Sequence, residues 1–367
     1  MSSEDENIPD VETCQKLCEE FARVTNTDTA CAQFYLQDRD WNLQQSLNDF
    51  FEDRQSRGSV RLLGDGPESE VVVVIDDSPR SLAAAATAVI TETITANRDS
   101  PQIKTEEVAD ISTKLKFITW NIDGLSESNL KLRTKAVCKI IKREEADIIF
   151  LQEVVPFSCH YIQSHIPEYQ CIQGNWNGYF TMTLLKKSMI TVEHHNVIEF
   201  PNSRMGRNLL KIEAKIKDIP LTLFNAHLES TSEASSERKT QLEMAFTKIV
   251  DTPKDRTVIF AGDLNLRDKE VSQLGGHPAS VQDLWITCGE RKECRYTWDM
   301  NRNDNLKWMG ASNYKPKCRF DRVFFRQSSL QQVVPKYFGL VGLERLLPHR
   351  CFPSDHWGVL CHFDLEG

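Results

Sequence analysis

The sequence predicts an α/β domain over residues 113–367, preceded by a small three-helix bundle over residues 9–53 and a disordered acidic linker over residues 54–112. Three observations favour this organisation. Strand-like apolar runs alternate with helix-like runs along the C-terminal region, whereas the N-terminal region has only helical patterns. The segment between them is rich in Ser, Thr, Ala, Glu and Asp and has no sustained periodicity.

The composition is that of a globular protein with unevenly distributed charge. The chain has 367 residues, 40% of them hydrophobic, and a net charge of −9. Residues 1–112 contain 9 basic and 23 acidic side chains, whereas residues 113–367 contain 35 basic and 30 acidic ones. Because like charges repel, the acidic first third is unsuited to a polyphosphate partner, and only the weakly basic remainder tolerates one.

The sequence also indicates the compartment. Its longest aliphatic run, from Val71 to Ile75, is far shorter than the ~20 residues that cross a bilayer, and its start lacks a basic, apolar signal peptide. The 11 cysteines form no Cys-x-x-Cys pair, which favours reduced thiols over a disulfide framework or a zinc site. We therefore expect a soluble protein without a membrane partner, in the nucleus and also in the cytoplasm.

The N-terminal bundle is predicted from three short helical patterns separated by the turn-forming residues 25–29 and 38–42. Their apolar positions are Val11, Leu17, Cys18, Phe21 and Ala22, then Ala30, Phe34 and Tyr35, then Leu43, Leu47, Phe50 and Phe51. The stretch resembles the ubiquitin-associated (UBA-like) domain, which implies ubiquitin as a partner. Val24, Thr25 and Asn26 replace the Met-Gly-Phe loop that is usual in such domains.

Two short motifs lie in the linker. The run from Val71 to Ile75 is followed by Asp76 and Asp77, and it resembles a SUMO-interacting motif, in which an extended apolar segment adds a strand to the partner's sheet. A strand docked on the neighbouring domain explains the same pattern equally well, so both interpretations stay open. Residues 103–106 fit the consensus for SUMO attachment.

The C-terminal domain is predicted from strands and helices that alternate. Six runs have the spacing of strands: Leu115 to Thr119, Ile148 to Leu151, Leu221 to Phe224, Val258 to Ala261, Val323 to Phe325 and Val359 to Phe363. Helical patterns cover residues 132–141 and 242–249. We expect a sheet whose strands are covered by helices.

Polar side chains adjoin the ends of these strands. Asn121, Asp123, Glu153, His227, Asp263, Asn265, Asp321, Asp355 and His356 all occupy such positions. One such residue is commonly a turn or a helix cap, but six strand ends of this kind in one domain favour a shared functional crevice.

The sequences of these segments resemble the motifs of a known group of enzymes, the endonuclease/exonuclease/phosphatase superfamily, which includes DNase I. The resemblance covers residues 114–367 and implies a four-layer α/β sandwich, in which two packed mixed sheets are flanked by helices. Within the superfamily, the segments TWNIDGL, FLQEV, NAHLES, AGDLN, YTWD, RFDR and PSDHWG are similar to the 5′-tyrosyl-DNA phosphodiesterase family. Members hydrolyse the bond between a topoisomerase II tyrosine and a DNA 5′-phosphate. The implied partner is a DNA 5′ end that carries a topoisomerase II remnant, and the product is a 5′-phosphate end for double-strand break repair.

Phosphodiester hydrolysis needs a cation at a non-bridging oxygen, an activated water and donors to the developing charge. Oxygen ligands suit Mg²⁺, and Mn²⁺ is the alternative ion. The resemblance implies that Glu153 ligates the metal directly and Asp123 directly or through water, while Asp355 supports the metal or its waters.

The same resemblance implies the catalytic roles. Asp263 positions and deprotonates the attacking water, and Asn265 holds that water or the phosphate. His356 donates to the phosphoryl oxygen, while Asp321 fixes its tautomer and raises its basicity. Asn121 and His227 complete the donor set.

The resemblance also implies a set of substrate-binding residues. Tyr179, Trp298 and Phe320 match an aromatic wall for the DNA end, although any one aromatic residue is more commonly part of a core. Arg207 is expected to contact phosphate. The full set comprises Asn121, Ile122, Gly124, Tyr179, Arg207, Asn208, Leu209, Leu210, Lys211, Ile212, Asn265, Leu266, Arg267, Trp298, Phe320 and His356.

Two alternative functions remain open at this point. The first is another phosphodiesterase of the same superfamily, such as an abasic endonuclease, a deadenylase or an inositol polyphosphate phosphatase. The second is a signalling adaptor that uses the UBA-like bundle and the run from Val71 to Ile75. The complete set of polar strand-end residues argues against an inactive domain.

Overall fold

The computed structural model describes residues 11–37, 39, 41–58, 114–306 and 315–366. Most of the predicted linker lies outside these ranges, including the run from Val71 to Ile75 and the pattern at residues 103–106. Within the described ranges, every helix is too short or too polar to cross a lipid bilayer.

The N-terminal bundle consists of α1 (Val11–Thr25), α2 (Thr29–Gln37) and α3 (Leu43–Gly58), so the prediction of three helices is confirmed. Its apolar cluster includes Phe21, Leu36 and Phe50. The rings of Phe21 and Phe50 meet edge to face, with their centroids 5.6 Å apart. Of residues 52–111, the structure describes only the last turns of α3, as far as Gly58.

The C-terminal domain contains two six-stranded sheets and a two-stranded ribbon. Its strands are β1 (Lys114–Asn121), β2 (Ile148–Val154), β3 (Tyr169–Gln173), β4 (Phe180–Lys186), β5 (Ile190–Glu199), β6 (Asn208–Ile216), β7 (Ile219–His227), β8 (Thr257–Asp263), β9 (Gln282–Asp283), β10 (Trp298–Asp299), β11 (Lys317–Cys318), β12 (Asp321–Arg326), β13 (Val333–Val341) and β14 (Gly358–Leu365). Sheet A has the order β13-β14-β1-β2-β4-β3, sheet B has the order β5-β6-β7-β8-β12-β9, and β10 pairs with β11.

Helices cover the outer face of each sheet. They are α4 (Leu130–Glu144) and α5 (Pro156–His165) on sheet A, and α6 (Ser235–Asp251) and α7 (Asp268–Gln273) on sheet B. The short helix α8 (Leu284–Thr287) and a 3₁₀ turn at Lys292–Cys294 instead contribute Leu284 and Cys294 to the cluster between the sheets. The cluster of α4 and α5 packs on sheet A, and the cluster of α6 packs on sheet B.

Alternation along the strands produces the four layers, because successive side chains point to opposite faces of a sheet. In β1, Phe117 faces sheet B, and its ring lies 4.9 Å from that of Phe150. The next residue, Ile118, faces the helices outside sheet A. On the other side, Phe260 and Phe324 belong to the cluster under α6. The predicted four-layer sandwich is confirmed.

Strand direction brings the functional segments to one edge of the sandwich. The pairs β1–β2 and β7–β8 are parallel, so their C-terminal ends lie side by side. The strands β14 and β12 run antiparallel to β1 and β8, so they begin at that same edge. Asp321, the first residue of β12, lies directly opposite Asp263, the last residue of β8.

The bundle packs against the α/β domain through α2. Asp28 lies at the start of this helix, 2.7 Å from the guanidinium of Arg291, and its carboxylate also accepts from the hydroxyl of Tyr337. Further along α2, the side chain of Gln33 donates to the backbone carbonyl of Leu343. A half-buried ion pair and hydrogen bonds from the side chains of both parts therefore join α2 to the domain.

The contact of Asp28 with Arg291 gives a test of this packing. Asp28→Asn keeps an oxygen for capping α2 but removes the charge that Arg291 faces, so we expect a loss of about 1–3 kcal/mol in the free energy of unfolding. Urea unfolding of the full-length protein measures the loss. The control is Glu12→Gln, which breaks an exposed ion pair with Lys16 and is expected to have almost no effect. Equal effects of the two substitutions would show that Asp28 does not hold the bundle in place.

Candidate active site

Polar residues from six segments converge where the central strands of the two sheets end or begin. Asn121 ends β1, Glu153 lies near the end of β2, and His227 and Asp263 end β7 and β8. Asp321 begins β12, and His356 lies just before β14.

Backbone conformation turns the chain sharply after these strands. Asp123, Glu153 and Asn265 have φ angles of 49°, 53° and 52°, in the left-handed region that non-glycine residues seldom adopt. Such conformations persist only where surrounding contacts enforce them, and they cluster at functional sites. Gly124 is required here because an added Cβ would lie 2.1 Å from the carbonyl oxygen of Glu153.

Asp263 is the centre of the hydrogen-bond network. Its Oδ2 atom accepts from Asn121 Nδ2 at 3.0 Å and lies 3.3 Å from His227 Nε2. The same oxygen is 3.8 Å from His356 Nε2. The second oxygen, Oδ1, accepts from the backbone N–H of Asn265 at 3.0 Å. Donors from both sheets therefore surround one buried carboxylate.

These neighbours keep Asp263 ionised. Burial alone would raise the pKa of its carboxyl, but the imidazoles of His227 and His356 outweigh burial and hold that pKa below its usual value. Asp263 is therefore a negatively charged acceptor at neutral pH.

The tautomer of His227 follows from its two partners. Its Nδ1 lies 2.7 Å from a guanidinium nitrogen of Arg207, which can only donate, so Nδ1 accepts and Nε2 carries the hydrogen that faces Asp263. Burial and the Arg207 charge lower the pKa of His227 to about 4. His227 is therefore a neutral donor at pH 7.

His356 is held in the opposite state. Its Nδ1 forms a 2.8 Å hydrogen bond with Asp321, and its backbone carbonyl accepts from Trp120 Nε1 at 2.9 Å. Burial alone would lower the pKa of this imidazole, but the carboxylates of Asp321, Asp355 and Asp263 raise it well above the usual value. His356 therefore carries a proton on Nε2 that can face a phosphoryl oxygen.

A second group of carboxylates lies beside this network. Burial and then the charge of Asp355 raise the pKa values of both Glu153 and Asp123 to about 7. Asp355 is thus close enough to repel each of the other two acids, and a cation placed among the three would relieve that repulsion. Asp355 is oriented by Trp298, whose Nε1 donates to it at 3.2 Å. This oxygen-rich group fits a hard divalent cation.

A different set of ligand atoms, from Asp263, Asp321 and His356, lies within 4.8 Å of one another. His356 Nδ1 in this set is already engaged by Asp321. We interpret the three residues as an acid–imidazole–acid chain, in which His356 is hydrogen-bonded to Asp321 and lies 3.8 Å from Asp263.

The predicted aromatic residues line the cleft on two sides. Trp298 and Phe320 are neighbours with ring centroids 5.5 Å apart, and Phe320 lies 6.3 Å from the His356 ring. Tyr179 lies on the side of His227, whose ring is 6.3 Å away. All three aromatic side chains are half-buried. This exposure leaves part of each ring open to a ligand.

Most side chains of the predicted binding segment, residues 207–212, are buried and do not face the cleft. Arg207 is buried, and its guanidinium faces His227, Ser230, Met205 and the ring of Tyr179, so it orients His227. Its contact with a phosphate stays a prediction. The side chains of Leu209, Leu210 and Ile212 are fully buried in the hydrophobic clusters, because they lie inside the central strand β6.

The other predicted binding residues differ in where their side chains lie. Asn208 and Lys211 are engaged with Gly174 and Glu213, and Ile122 and Leu266 are buried apolar side chains. Arg267 stays at the cleft, where its guanidinium lies 5.5 Å from the centre of the Phe320 ring.

Three supporting residues were missed in the sequence. Thr297 accepts from the Asp321 backbone, Ser354 donates to the Asn121 carbonyl at 2.6 Å, and Trp120 holds the His356 carbonyl. All three lie inside the segments YTWD, PSDHWG and TWNIDGL. The motifs therefore contain these three residues, but the prediction of functional groups was limited to acids, amides and imidazoles and did not include hydroxyl or indole groups.

Comparisons with known proteins agree with this geometry. The endonuclease/exonuclease/phosphatase family model matches residues 118–356, and a UBA-like domain model matches residues 12–57. Tyrosyl-DNA phosphodiesterase 2 of Homo sapiens is 38% identical to this chain, over 99% of the chain and 96% of its own length. The Xenopus laevis protein of that name is 38% identical, over 95% of this chain and 93% of its own length. The chain belongs to the tyrosyl-DNA phosphodiesterase 2 family.

Solved structures of this family share the fold. The D. rerio tyrosyl-DNA phosphodiesterase 2, crystallised with single-strand DNA product, is 39% identical, covers 69% of this chain and 100% of its own, and has a TM-score of 0.66. The C. elegans structure is 33% identical, covers 99% of this chain and 97% of its own, and has a TM-score of 0.63. The endonuclease/exonuclease/phosphatase family depends on divalent metal ions, which agrees with the presence of a buried cluster of acids and a histidine, Asp263, Asp321 and His356.

The contact between Arg207 and His227 predicts a tautomer that NMR can measure. We expect long-range ¹H–¹⁵N spectra to show neutral His227 with its hydrogen on Nε2 from pH 8 down to about pH 5. Arg207→Met removes a donor and a positive charge, so the pKa of His227 should rise. Arg267→Met serves as the control, since Arg267 contacts Phe320 and the Asn265 carbonyl. A hydrogen on Nδ1 in the unmodified protein would contradict the assignment.

The same pKa shift affects stability. His227 stays neutral in the folded protein down to about pH 4, whereas an unfolded histidine gains a proton near pH 6.5. The unfolded state therefore binds more protons between these values, and the contribution of His227 to stability is lost as the pH falls through this window. Arg207→Met should make this loss smaller, as measured by urea unfolding at pH 7 and pH 5.

Proposed function

We propose that this chain is a Mg²⁺-dependent 5′-tyrosyl-DNA phosphodiesterase, which hydrolyses the bond between a topoisomerase II tyrosine and a DNA 5′-phosphate and leaves a 5′-phosphate end for double-strand break repair. The observation that carries the proposal is the pairing of an ionised, donor-enclosed Asp263 with an adjacent group of mutually repelling carboxylates. The relatedness to tyrosyl-DNA phosphodiesterase 2 along almost the whole chain supports the choice of substrate.

Glu153, Asp123 and Asp355 would hold the cation. When bound, a divalent ion supplies positive charge to a non-bridging phosphate oxygen. Asp263 orients a water molecule for attack on phosphorus and accepts its proton. Because the pKa of Asp263 is low, orientation of the water and electrostatic stabilisation are its larger contributions.

Donors on the other side receive charge that develops on the phosphoryl oxygens. The protonated Nε2 of His356 and the amide of Asn121 lie around the same Asp263 oxygen, so they can face the reacting phosphate together. Neutral His227 has one N–H, which faces Asp263, so it orients that carboxylate without adding charge. Fixed donors of this kind need no reorganisation during the reaction.

The leaving group explains why no further acid is needed. The new bond joins the water oxygen to phosphorus, and the bond from phosphorus to the tyrosine oxygen breaks. A phenol has a pKa near 10, so tyrosine departs more readily than a sugar hydroxyl and takes its proton from solvent. Trp298, Phe320 and Tyr179 offer ring surfaces for the base and sugar of the DNA end.

Partners and location form part of the proposal. Chromosomal DNA ends are nuclear, so we expect the protein in the nucleus and also in the cytoplasm. We propose ubiquitin as the partner of the UBA-like bundle, which exposes the apolar side chains of Val24 and Phe51.

The proposed activity is tested with an oligonucleotide that carries a 5′-phosphotyrosine, in Mg²⁺ or in EDTA. An abasic duplex and an inositol polyphosphate are assayed in parallel. We expect release of a 5′-phosphate end only with Mg²⁺ and little attack on the other two substrates. Attack on either of these, with the phosphotyrosyl end left intact, would assign the site to another phosphodiesterase reaction.

Substitutions in the site separate the roles of its carboxylates. Asp263→Asn should lower kcat about 10²–10⁴-fold and leave affinity for the DNA end nearly unchanged. The matched control is Asp147→Asn, since Asp147 is a buried aspartate that accepts from the Lys116 backbone at the opposite edge of sheet A. Nearly full activity in Asp263→Asn would remove Asp263 from the mechanism.

A further inference from the structure

Arg133 is a buried cation that the mechanism above does not use. It lies on α4, only 2% exposed, and its neighbours on the same helical face are Ala136, Val137 and Ile140. A guanidinium has five N–H donors and no acceptor, and burying it is costly unless those donors find partners. A charged side chain on the apolar face of a helix therefore calls for a specific explanation.

All the contacts of Arg133 go to loops of the active site. Its guanidinium donates to five backbone carbonyls, which belong to Ile122 (3.2 Å), Asp123 (2.9 Å), Ser126 (2.6 Å), Ser128 (2.9 Å) and Pro353 (3.4 Å). One nitrogen also lies 3.3 Å from Asp123 Oδ2. The first four carbonyls are in the loop after β1, and the fifth is in the loop before β14.

These two loops carry two of the three proposed cation ligands. Asp123 lies within the first loop, and Asp355 follows Pro353 by two residues in the second. Arg133 is thus a single rigid group that ties both loops to α4. The left-handed backbone of Asp123 is fixed from both sides, since its N–H donates to Asn121 Oδ1 at 2.9 Å and its carbonyl accepts from Arg133.

We propose that Arg133 is a positioning residue for the divalent cation, which sets the spacing of Asp123 and Asp355 by clamping the backbones of their loops. This inference rests on the proposed function. The shortest contact of Arg133 with the Asp123 carboxylate is 3.3 Å, to Oδ2, so Arg133 holds this residue mainly through its backbone. Lysine could not replace it, because three donors on a flexible stem do not span both loops.

The chain offers a matched control in Arg326. This arginine is also 2% exposed, and its guanidinium also donates to backbone carbonyls, namely those of Val250 (3.5 Å), Thr252 (2.7 Å), Pro253 (2.7 Å) and Arg256 (2.8 Å). It lies at the end of β12, whereas the active site lies at the beginning of that strand. Loss of either clamp should weaken the fold, but only loss of Arg133 should change cation binding.

The experiment compares Arg133→Lys with Arg326→Lys in the full-length protein. Binding of Mn²⁺ without substrate is measured by electron paramagnetic resonance, the Mg²⁺ dependence of phosphotyrosyl hydrolysis gives a second readout, and urea unfolding gives stability. We expect both variants to lose stability, the Mn²⁺ dissociation constant to rise about 10–100-fold in Arg133→Lys, and that constant to stay within twofold in Arg326→Lys. Saturating Mg²⁺ should restore most of the kcat of Arg133→Lys.

Each other outcome has a distinct meaning. Unchanged Mn²⁺ affinity in folded Arg133→Lys, or equal weakening in both variants, overturns the positioning role and leaves the proposed function intact. Failure of the unmodified protein to bind Mn²⁺ overturns the cation site itself. If Arg133→Lys does not fold, Arg133→Gln is used instead, because its amide retains two N–H donors. Arg133→Gln should weaken Mn²⁺ binding less in a protein that already carries Asp123→Asn than in the unmodified protein. Full additivity of the two substitutions would reject the proposal.

Discussion

The active-site end of this fold depends on the burial of one negative charge, that of Asp263. An isolated carboxylate in a protein interior would be neutralised by a proton, because burial raises its pKa. Here Asn121 comes from sheet A and His227 from sheet B, so the charge is satisfied only when the sheets pack with their central strands in register at this edge. Packing of the apolar layers and ionisation of the acid are therefore two results of the same arrangement.

Close backbone approach makes that arrangement possible. Gly262 precedes Asp263 with a φ angle of 149°, and an added Cβ would lie 1.8 Å from the carbonyl oxygen of Ala226. The absence of a side chain at Gly262 lets the ends of β7 and β8 lie together, which brings His227 within reach of Asp263. Gly124 likewise allows the Asp123 loop to approach the Glu153 backbone closely. Any larger residue at either position would separate groups that must touch.

The sequence predicts the elements in which an apolar strand pattern adjoins polar residues. It does not predict contacts between residues that are far apart in the chain. The six predicted strands lie within β1, β2, β7, β8, β12 and β14, whose largely buried apolar runs either end in polar residues or follow them directly. Strand β5 was not predicted, because its exposed residues, such as His194 and His195, do not form an apolar periodic pattern. The side chains of Leu209, Leu210 and Ile212 are buried because β6 is a central strand, a placement that a motif match does not reveal. Contacts such as that between Asp28 and Arg291 join residues far apart in sequence, which no local pattern encodes.

Two kinds of carboxylate in one cleft divide its work. Asp263 is surrounded by donors, so its pKa is low and it is charged without help from any ion. Burial and the nearby charge of Asp355 raise the pKa values of Glu153 and Asp123 to about 7. The difference comes from the neighbours, since all of these acids lie within one small region. The network that orients water is therefore complete before a cation binds, while the acidic group remains selective for positive charge. Arg133 fits this division, because most of its contacts go to backbone carbonyls and it thus fixes the loops of the acidic group without occupying the space among the carboxylates.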